Sequence, residues 1–371
     1  MTTHDQKFMQ EALVLARLGQ GRTSPNPAVG AVVVHHGQVV GRGYHRAAGQ
    51  PHAEIEALTE AGDLSRGATI YVTLEPCNHQ GRTGPCTHAI LAAGIARVVY
   101  AVADPFKPAS GGGKWLEENG IPTTSGVLED SCRSLNEPFF TRVNKNRPMV
   151  LLKMASTLDG HIAERTGKSK YITGPQALER VHQLRNILDA VIIGANTAKK
   201  DNPRLTCLLE GEHRDPLRVL VDSSLGSCTD GLLLTTELAG GTIVFTSRDA
   251  DPGIKERIQA RGVLLMESPT PIHTPITPVF ILEQLHALGV NSVLLEGGSA
   301  LATSFLLARL VDRIMIFMAP KLLVDTKAPL MIGTDHPFSL DILPSLVQTT
   351  VEMVGQDILM EGKVDYPKEW P

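Results

Sequence analysis

His52-Ala53-Glu54, then Pro76-Cys77 and, after eight residues ending in Pro85, Cys86, is the stretch on which the reading of this chain turns. One His and two Cys make a three-ligand set that leaves the fourth position of a tetrahedral zinc to water. A hydrolytic zinc needs that open position, because the metal lowers the pKa of its bound water to roughly 7. Glu54, two residues from the His, is free to take a proton from the water and pass it to a departing amine. Cys86 follows Pro85 at a helix start, where the helix dipole favours a thiolate. Read singly, Cys77 and Cys86 are small buried hydrophobes and His52 is a capping or surface histidine. Their order, on successive strand-end and helix-start positions, argues against that reading.

The surroundings supply those strands and helices. Phe8, Ala12, Leu15 and Ala16 recur at helical spacing and predict a helix over 5–18. β-Branched runs at 28–34 and 38–44, separated by His35-His36-Gly37, predict a hairpin. Helix and strand then alternate, with helices at 52–61 and 85–93 and strands at 68–74 and 96–103, which is an α/β pattern. Punctuation thickens over 104–113, and Asn144-Lys145-Asn146-Arg147-Pro148 places a domain boundary near 146, giving domains 1–146 and 147–371. The second is again α/β, with strands at 149–155, 190–194, 217–222, 242–246 and 290–295 in a largely parallel sheet. Its clearest helix, 175–188, starts on Pro175 and presents Leu178, Val181, Leu184 and Leu188 on one face. The tail at 364–371 reads as a frayed end.

The chain has 371 residues, 42% of them hydrophobic and 20% charged, with a net charge of −4, which excludes the disordered and fibrous classes. Five cysteines are too few, and odd in number, for a secreted disulfide framework. Cys132, Cys207 and Cys228 are therefore read as structural. The longest apolar run near the C-terminal end, 314–319, is far short of the roughly 20 residues that span a bilayer. The first 21 residues carry no signal-peptide pattern, so a cytoplasmic protein without a membrane partner is expected.

The His-x-Glu and Pro-Cys elements resemble the cytidine-deaminase-like superfamily. The usual Pro-Cys-x-x-Cys is replaced here by the longer loop from Asn78 to Pro85, which is similar to that of the riboflavin-pathway pyrimidine deaminases, as are Pro25-Asn26-Pro27-Ala28-Val29-Gly30 and Gly43-Tyr44-His45. Arg82 and Thr83, beside two glycines, either hold a phosphate or form a solvated turn. In the second domain no GxGxxG occurs. Val293-Leu294-Leu295-Glu296-Gly297-Gly298-Ser299-Ala300 runs from a strand into a helix, a place suited to a pyrophosphate or simply to a tight turn. Arg185 is a cation suited to a substrate phosphate, or a solvated position on an amphipathic helix.

The segment 148–330 resembles the riboflavin-biosynthesis reductases, whose fold is like dihydrofolate reductase. The resemblance rests on Lys153-Met154-Ala155-Ser156-Thr157-Leu158-Asp159-Gly160, Ser169-Lys170-Tyr171-Ile172-Thr173, His182-Gln183-Leu184-Arg185, Asp201-Asn202-Pro203 and Glu296-Gly297-Gly298. It implies that Ala155, Tyr171, Thr197, Asp201, Gly297 and Gly298 contact NADPH, that Ser169, Arg185, Leu205 and Glu296 face the substrate, and that Asp201 supplies a proton as hydride arrives. The family usually carries an Arg three residues after Leu205, where this chain has Leu208. Arg204 or a residue elsewhere would then take the phosphate, or substrate binding is weaker.

Taken together, the chain resembles the bifunctional riboflavin biosynthesis family. That implies hydrolytic deamination of 2,5-diamino-6-ribosylamino-4(3H)-pyrimidinone 5′-phosphate at a zinc held by His52, Cys77 and Cys86, with Glu54 shuttling protons. NADPH-dependent reduction of the ribosyl group of 5-amino-6-(5-phosphoribosylamino)uracil follows. Asn26 and His45 would hold the pyrimidine or its ribosyl arm, and Arg82 with Thr83 the phosphate. The family forms homo-oligomers. The rival readings are a nucleic-acid base deaminase, which the net negative charge speaks against, and a non-catalytic protein in which zinc only holds the fold.

Overall fold

The computed structural model describes residues 3–80, 84–169, 172–228, 231–239, 241–272 and 274–370. Arg82, Thr83 and Tyr171 therefore lie outside the described residues. The chain divides into two compact units, Met1–Asn146 and Arg147–Pro371.

The first unit runs α1 (Thr3–Leu18), β1 (Gly30–His35), β2 (Gln38–Tyr44), α2 (Ala53–Ala61), β3 (Thr69–Leu74), α3 (Cys86–Ala92), β4 (Arg97–Val102), α4 (Gly112–Glu118), β5 (Thr123–Ser125), α5 (Glu129–Leu135) and α6 (Glu137–Lys145). Its sheet has the order β2-β1-β3-β4-β5. β1 and β2 form the expected hairpin, with His35 opposite Gln38 across the two-residue turn His36-Gly37. The parallel pairing of β3 with β4 and β4 with β5 needs the helical crossovers α3 and α4. One face buries Phe8, Met9 and Leu13 from α1, and the other buries Ala53, Ala57 and Ala61 from α2. A Cβ on Gly43 would come within 2.2 Å of the Ala53 carbonyl, so only glycine there lets α2 lie directly on β2. That close approach fixes where the start of α2, with His52 and Glu54, sits above the sheet.

The second unit runs β6 (Met149–Thr157), α7 (Pro175–Ile187), β7 (Ala190–Gly194), α8 (Ala195–Asp201), β8 (Leu217–Val221), α9 (Thr236–Ala239), β9 (Thr242–Ser247), α10 (Pro252–Gln259), β10 (Leu264–Ser268), α11 (Pro278–Ala287), β11 (Ser292–Glu296), α12 (Ser299–Leu307), β12 (Arg313–Ala319), β13 (Ser345–Val354) and β14 (Asp357–Asp365). Among the described residues its nine strands lie in the order β10-β9-β8-β7-β11-β6-β12-β14-β13. Pairing is parallel from β10 through β12 and antiparallel at β14 and β13. The apolar run too short to span a membrane is β12, and no helix among the described residues is long and apolar enough to cross one.

Two sequence expectations are corrected. Helix α7 turns Ala177, Val181 and Leu184 inward and Leu188 just past its end is also buried, while Leu178 is 55% exposed. The small Ala177 rather than the large Leu178 meets the sheet, a choice that apolar spacing alone does not make. The tail is not frayed: 357–365 pairs on both sides as β14, and Trp370 is 7% exposed, with its Nε1 donating to the Leu306 carbonyl at 3.1 Å.

Candidate active sites

At the first site three elements converge. His52 precedes α2, Cys77 follows β3, and Cys86 opens α3. The ligand atoms of His52, Cys77 and Cys86 all lie within 4.8 Å of one another. His52 Nδ1 is 3.2 Å from Cys86 Sγ and 3.5 Å from Cys77 Sγ. A tetrahedral zinc with bonds of about 2.0 Å to nitrogen and 2.3 Å to sulfur separates those atoms by about 3.6 Å, so the set fits the metal. The hydrogen bond from Cys86 and then His52 hold Cys77 at about 4, while the Cys77 sulfur and burial push the Cys86 thiol up.

Glu54 is 4% exposed, and burial first, then the Cys77 charge, raise its carboxyl to about 7. It opens onto a cavity of about 380 Å³ that Asn26, His45, His52 and Cys77 also line. His45 Nδ1 donates to the Pro51 carbonyl at 3.1 Å, and its Nε2 stands 3.4 Å from Asn26 Nδ2. That arrangement makes His45 the neutral tautomer, an acceptor for Asn26, and burial lowers its pKa further. Sequence reasoning missed Glu75, His79 and Asp104, which line the same cavity. Glu75 follows β3 and braces the loop after β4, accepting from Asp104 N at 3.0 Å and Gly113 N at 2.9 Å. Burial pushes the Asp104 carboxyl up to about 6. The buried Nδ1 of His79 has no hydrogen-bond partner among the described residues. The signal available was positional: acidic residues just beyond the carboxyl ends of parallel strands, where open α/β sheets bind ligands.

At the second site a cavity of about 980 Å³ lies along the carboxyl ends of β6, β7, β8 and β11. It brings together Ala155, Ser169, Arg185, Thr197, Asp201, Leu205, Glu296, Gly297 and Gly298, all named from sequence. Ser169 Oγ donates to Asp201 Oδ1 at 2.8 Å. Leu205, buried, holds a left-handed backbone (φ 56), uncommon for a residue with a Cβ. Thr197 Oγ1 accepts from Gly298 N at 3.1 Å, so that amide is engaged and the turn is braced from α8.

Arg185 is not a free cation for a phosphate. It makes a two-pronged pair with Glu296, both contacts at 2.9 Å, and donates to the Thr206 carbonyl at 3.2 Å. Lys153, which sequence reasoning quoted but gave no role, stands opposite Glu296 in the parallel register, and burial lowers its pKa. Arg204, the sequence candidate to replace the family arginine, is not among the residues lining the cavity, and its Nη2 pairs with Glu237 at 2.5 Å. Leu208 is 69% exposed and does not line the cavity either.

The family model of the cytidine and deoxycytidylate deaminase zinc-binding region matches residues 2–102, and that of the RibD C-terminal domain matches 148–360. The riboflavin biosynthesis protein RibD of Aquifex aeolicus is 41% identical over 357 residues, 96% of this chain and 97% of the relative. The chain belongs to the RibD family. The RibD of Escherichia coli is 37% identical over 86% of this chain and 88% of its own length. Among solved structures, a diaminohydroxyphosphoribosylaminopyrimidine deaminase/5-amino-6-(5-phosphoribosylamino)uracil reductase from Thermotoga maritima has TM-score 0.86 and 37% identity, covering 98% of this chain and 99% of that one. Acinetobacter baumannii RibD has TM-score 0.85 and 34% identity at the same coverage. The α/β fold class therefore stands, a cytidine-deaminase-like part followed by a dihydrofolate-reductase-like one. The chain is a zinc-dependent deaminase and an NADPH-dependent reductase of riboflavin biosynthesis.

The RibD turn after β11 carries one prediction. Gly297 has φ 99, and a Cβ there would lie 2.7 Å from Thr197 Oγ1. Gly297→Ala is expected to strain the turn by about 1–3 kcal/mol and to weaken NADP⁺ binding measured by calorimetry. Unchanged binding would show that the turn is slack.

Proposed function

We propose that residues 1–146 deaminate 2,5-diamino-6-ribosylamino-4(3H)-pyrimidinone 5′-phosphate. Residues 147–371 then reduce the ribosyl group of the product, 5-amino-6-(5-phosphoribosylamino)uracil, to the ribityl form. The observation that carries the first step is the buried Glu54 beside a His/Cys/Cys set that fits zinc, opening on a cavity large enough for a pyrimidine ring. When bound, zinc supplies a hydrolytic nucleophile at neutral pH and NADPH supplies a hydride. His52, Cys77 and Cys86 hold the metal. Glu54 takes a proton onto its carboxylate and gives it to the leaving ammonia. Asn26, held by neutral His45, positions the pyrimidine or its ribosyl arm, and Arg82 with Thr83 takes the phosphate.

In the second step Ala155, Tyr171, Thr197 and the Gly297-Gly298 turn hold the cofactor. Asp201, hydrogen-bonded to Ser169, supplies the proton that accompanies hydride transfer. Ser169, Leu205, Arg185 and Glu296 bound the substrate, with the last two acting as a neutral buried pair. The protein works in the cytoplasm as a homo-oligomer on a small molecule, without nucleic acid. The exposed strand β13, with Val351 61% and Met353 64% exposed, supports self-association.

One assay tests the sequence of steps. The zinc-loaded chain and the diaminopyrimidine phosphate are expected to release ammonia first and consume NADPH second. NADPH loss without ammonia, or tight salt-dependent tRNA binding in its place, would refute the reading.

A further inference from the structure

The cavity of the second unit has a polar end that the residues assigned above leave unused. It lies where β8 stops, at Asp222, Ser223 and Ser224, beside Lys199 of α8. A methyl group built on Gly226 would sit 3.1 Å from Lys199 Nζ and 3.2 Å from Ser224 Oγ, so ammonium and hydroxyl converge on one spot. Lys199 makes no ion pair among the described residues. The nearby carboxylate does not claim it. Asp222 Oδ1 accepts from Ser224 N and Oγ at 3.1 Å each, and Oδ2 accepts from Ser227 N and Oγ at 2.7 and 2.5 Å. The next lysine lines another part of the same cavity: a methyl on Gly167, on a different segment, would meet Lys200 Nζ at 2.9 Å.

The sheet order sets what reaches this spot. The Gly297-Gly298 turn at the end of β11 holds the cofactor in the reading proposed above, its place before a helix start suits the pyrophosphate, and β8 lies two strands away, past β7. Two strand spacings are about 10 Å, roughly the span of one ribose with its 2′ substituent. An adenosine running that way brings its 2′ position to the end of β8. A site for NADH places a free carboxylate at such a point to accept from the 2′-hydroxyl. Here the carboxylate is saturated by its own loop, and an uncommitted ammonium takes its place. Lysine suits a phosphate as a compact charge with three donors. We infer that Lys199, at the cavity end that Ser223 and Ser224 also line, binds the 2′-phosphate of NADPH and sets the preference for NADPH over NADH.

The inference rests on the cofactor reading of this cavity, and the test separates the two. NADP⁺ and NAD⁺ are titrated calorimetrically into the full-length wild type, Lys199→Met and Lys200→Met. Lys199 is exposed and methionine keeps its apolar stem, so the fold is not at stake. Wild type is expected to prefer NADP⁺. Lys199→Met should weaken NADP⁺ about ten- to hundred-fold, the loss of one charge-assisted contact, and leave NAD⁺ unchanged. Lys200→Met, with the same change in net charge, should keep the preference. If Lys199→Met retains the wild-type preference, weakens both nucleotides equally, or if Lys200→Met is the variant that loses it, the assignment to Lys199 fails while the cavity remains a cofactor site. Wild type binding neither nucleotide would overturn both.

Discussion

Glu54→Gln is expected to stop ammonia release while zinc stays bound and NADPH is still consumed on the deaminated intermediate. The carboxylate is not one of the three ligand positions, so its loss leaves the metal set whole. Glutamine fills the same buried volume but neither takes nor returns a proton, and removing a positioned general acid/base costs about 10²–10⁴-fold in rate. Metal content by elemental analysis, ammonia release, and NADPH oxidation with the intermediate supplied directly are the three readouts. Loss of zinc in the variant would make Glu54 a structural residue. Ammonia released at the wild-type rate would remove it from the chemistry altogether.

The second large effect is expected at Glu296. Burial alone would raise its carboxyl, but the Arg185 charge and hydrogen bonds, followed by Lys153, hold it below the ordinary value. Glu296→Gln leaves the guanidinium of Arg185 and the ammonium of Lys153 in one buried site without a counter-charge. Removing one partner of a buried pair costs about 3–5 kcal/mol, which for a unit of this size lowers its melting temperature by about 10 °C. The sign with pH follows from the depressed carboxyl. Its contribution is full above the unfolded pKa of about 4.3 and is lost as pH falls through the lower folded value, so wild type and variant converge in acid. Calorimetry of the full chain at neutral and acid pH checks both. Equal melting at neutral pH would mean that water or backbone already neutralises the two cations.

The deaminase centre was legible because zinc accepts few residue types and the chain places them at the ends of neighbouring elements. His52, Cys77, Cys86 and Glu54 needed no partner outside that stretch to be recognised. The reductase site was legible only in part. Helical spacing put Arg185 on α7 but said nothing of Glu296, 111 residues away, which turns a free cation into half of a neutral pair. Glu75 and Asp104 escaped because their meaning comes from standing beyond strand ends, which the sequence shows only once the strands are paired. The strands at 345–354 and 357–365 escaped for another reason: β13 is exposed at nearly every position, so no apolar alternation marks it.

The place of β14 bears on how the polypeptide is made. A ribosome releases residues in order, and the five strands described in the first unit are all in hand by residue 125. The second emerges with β12 already built, yet the outer edge of β12 pairs with β14, which spans 357–365. For as long as those residues remain in the exit tunnel, Met315 and Phe317 lie on a strand with one open side, the kind of edge that recruits other chains. The nascent protein thus carries a finished deaminase fold ahead of a reductase sheet that stays vulnerable until its last strands arrive.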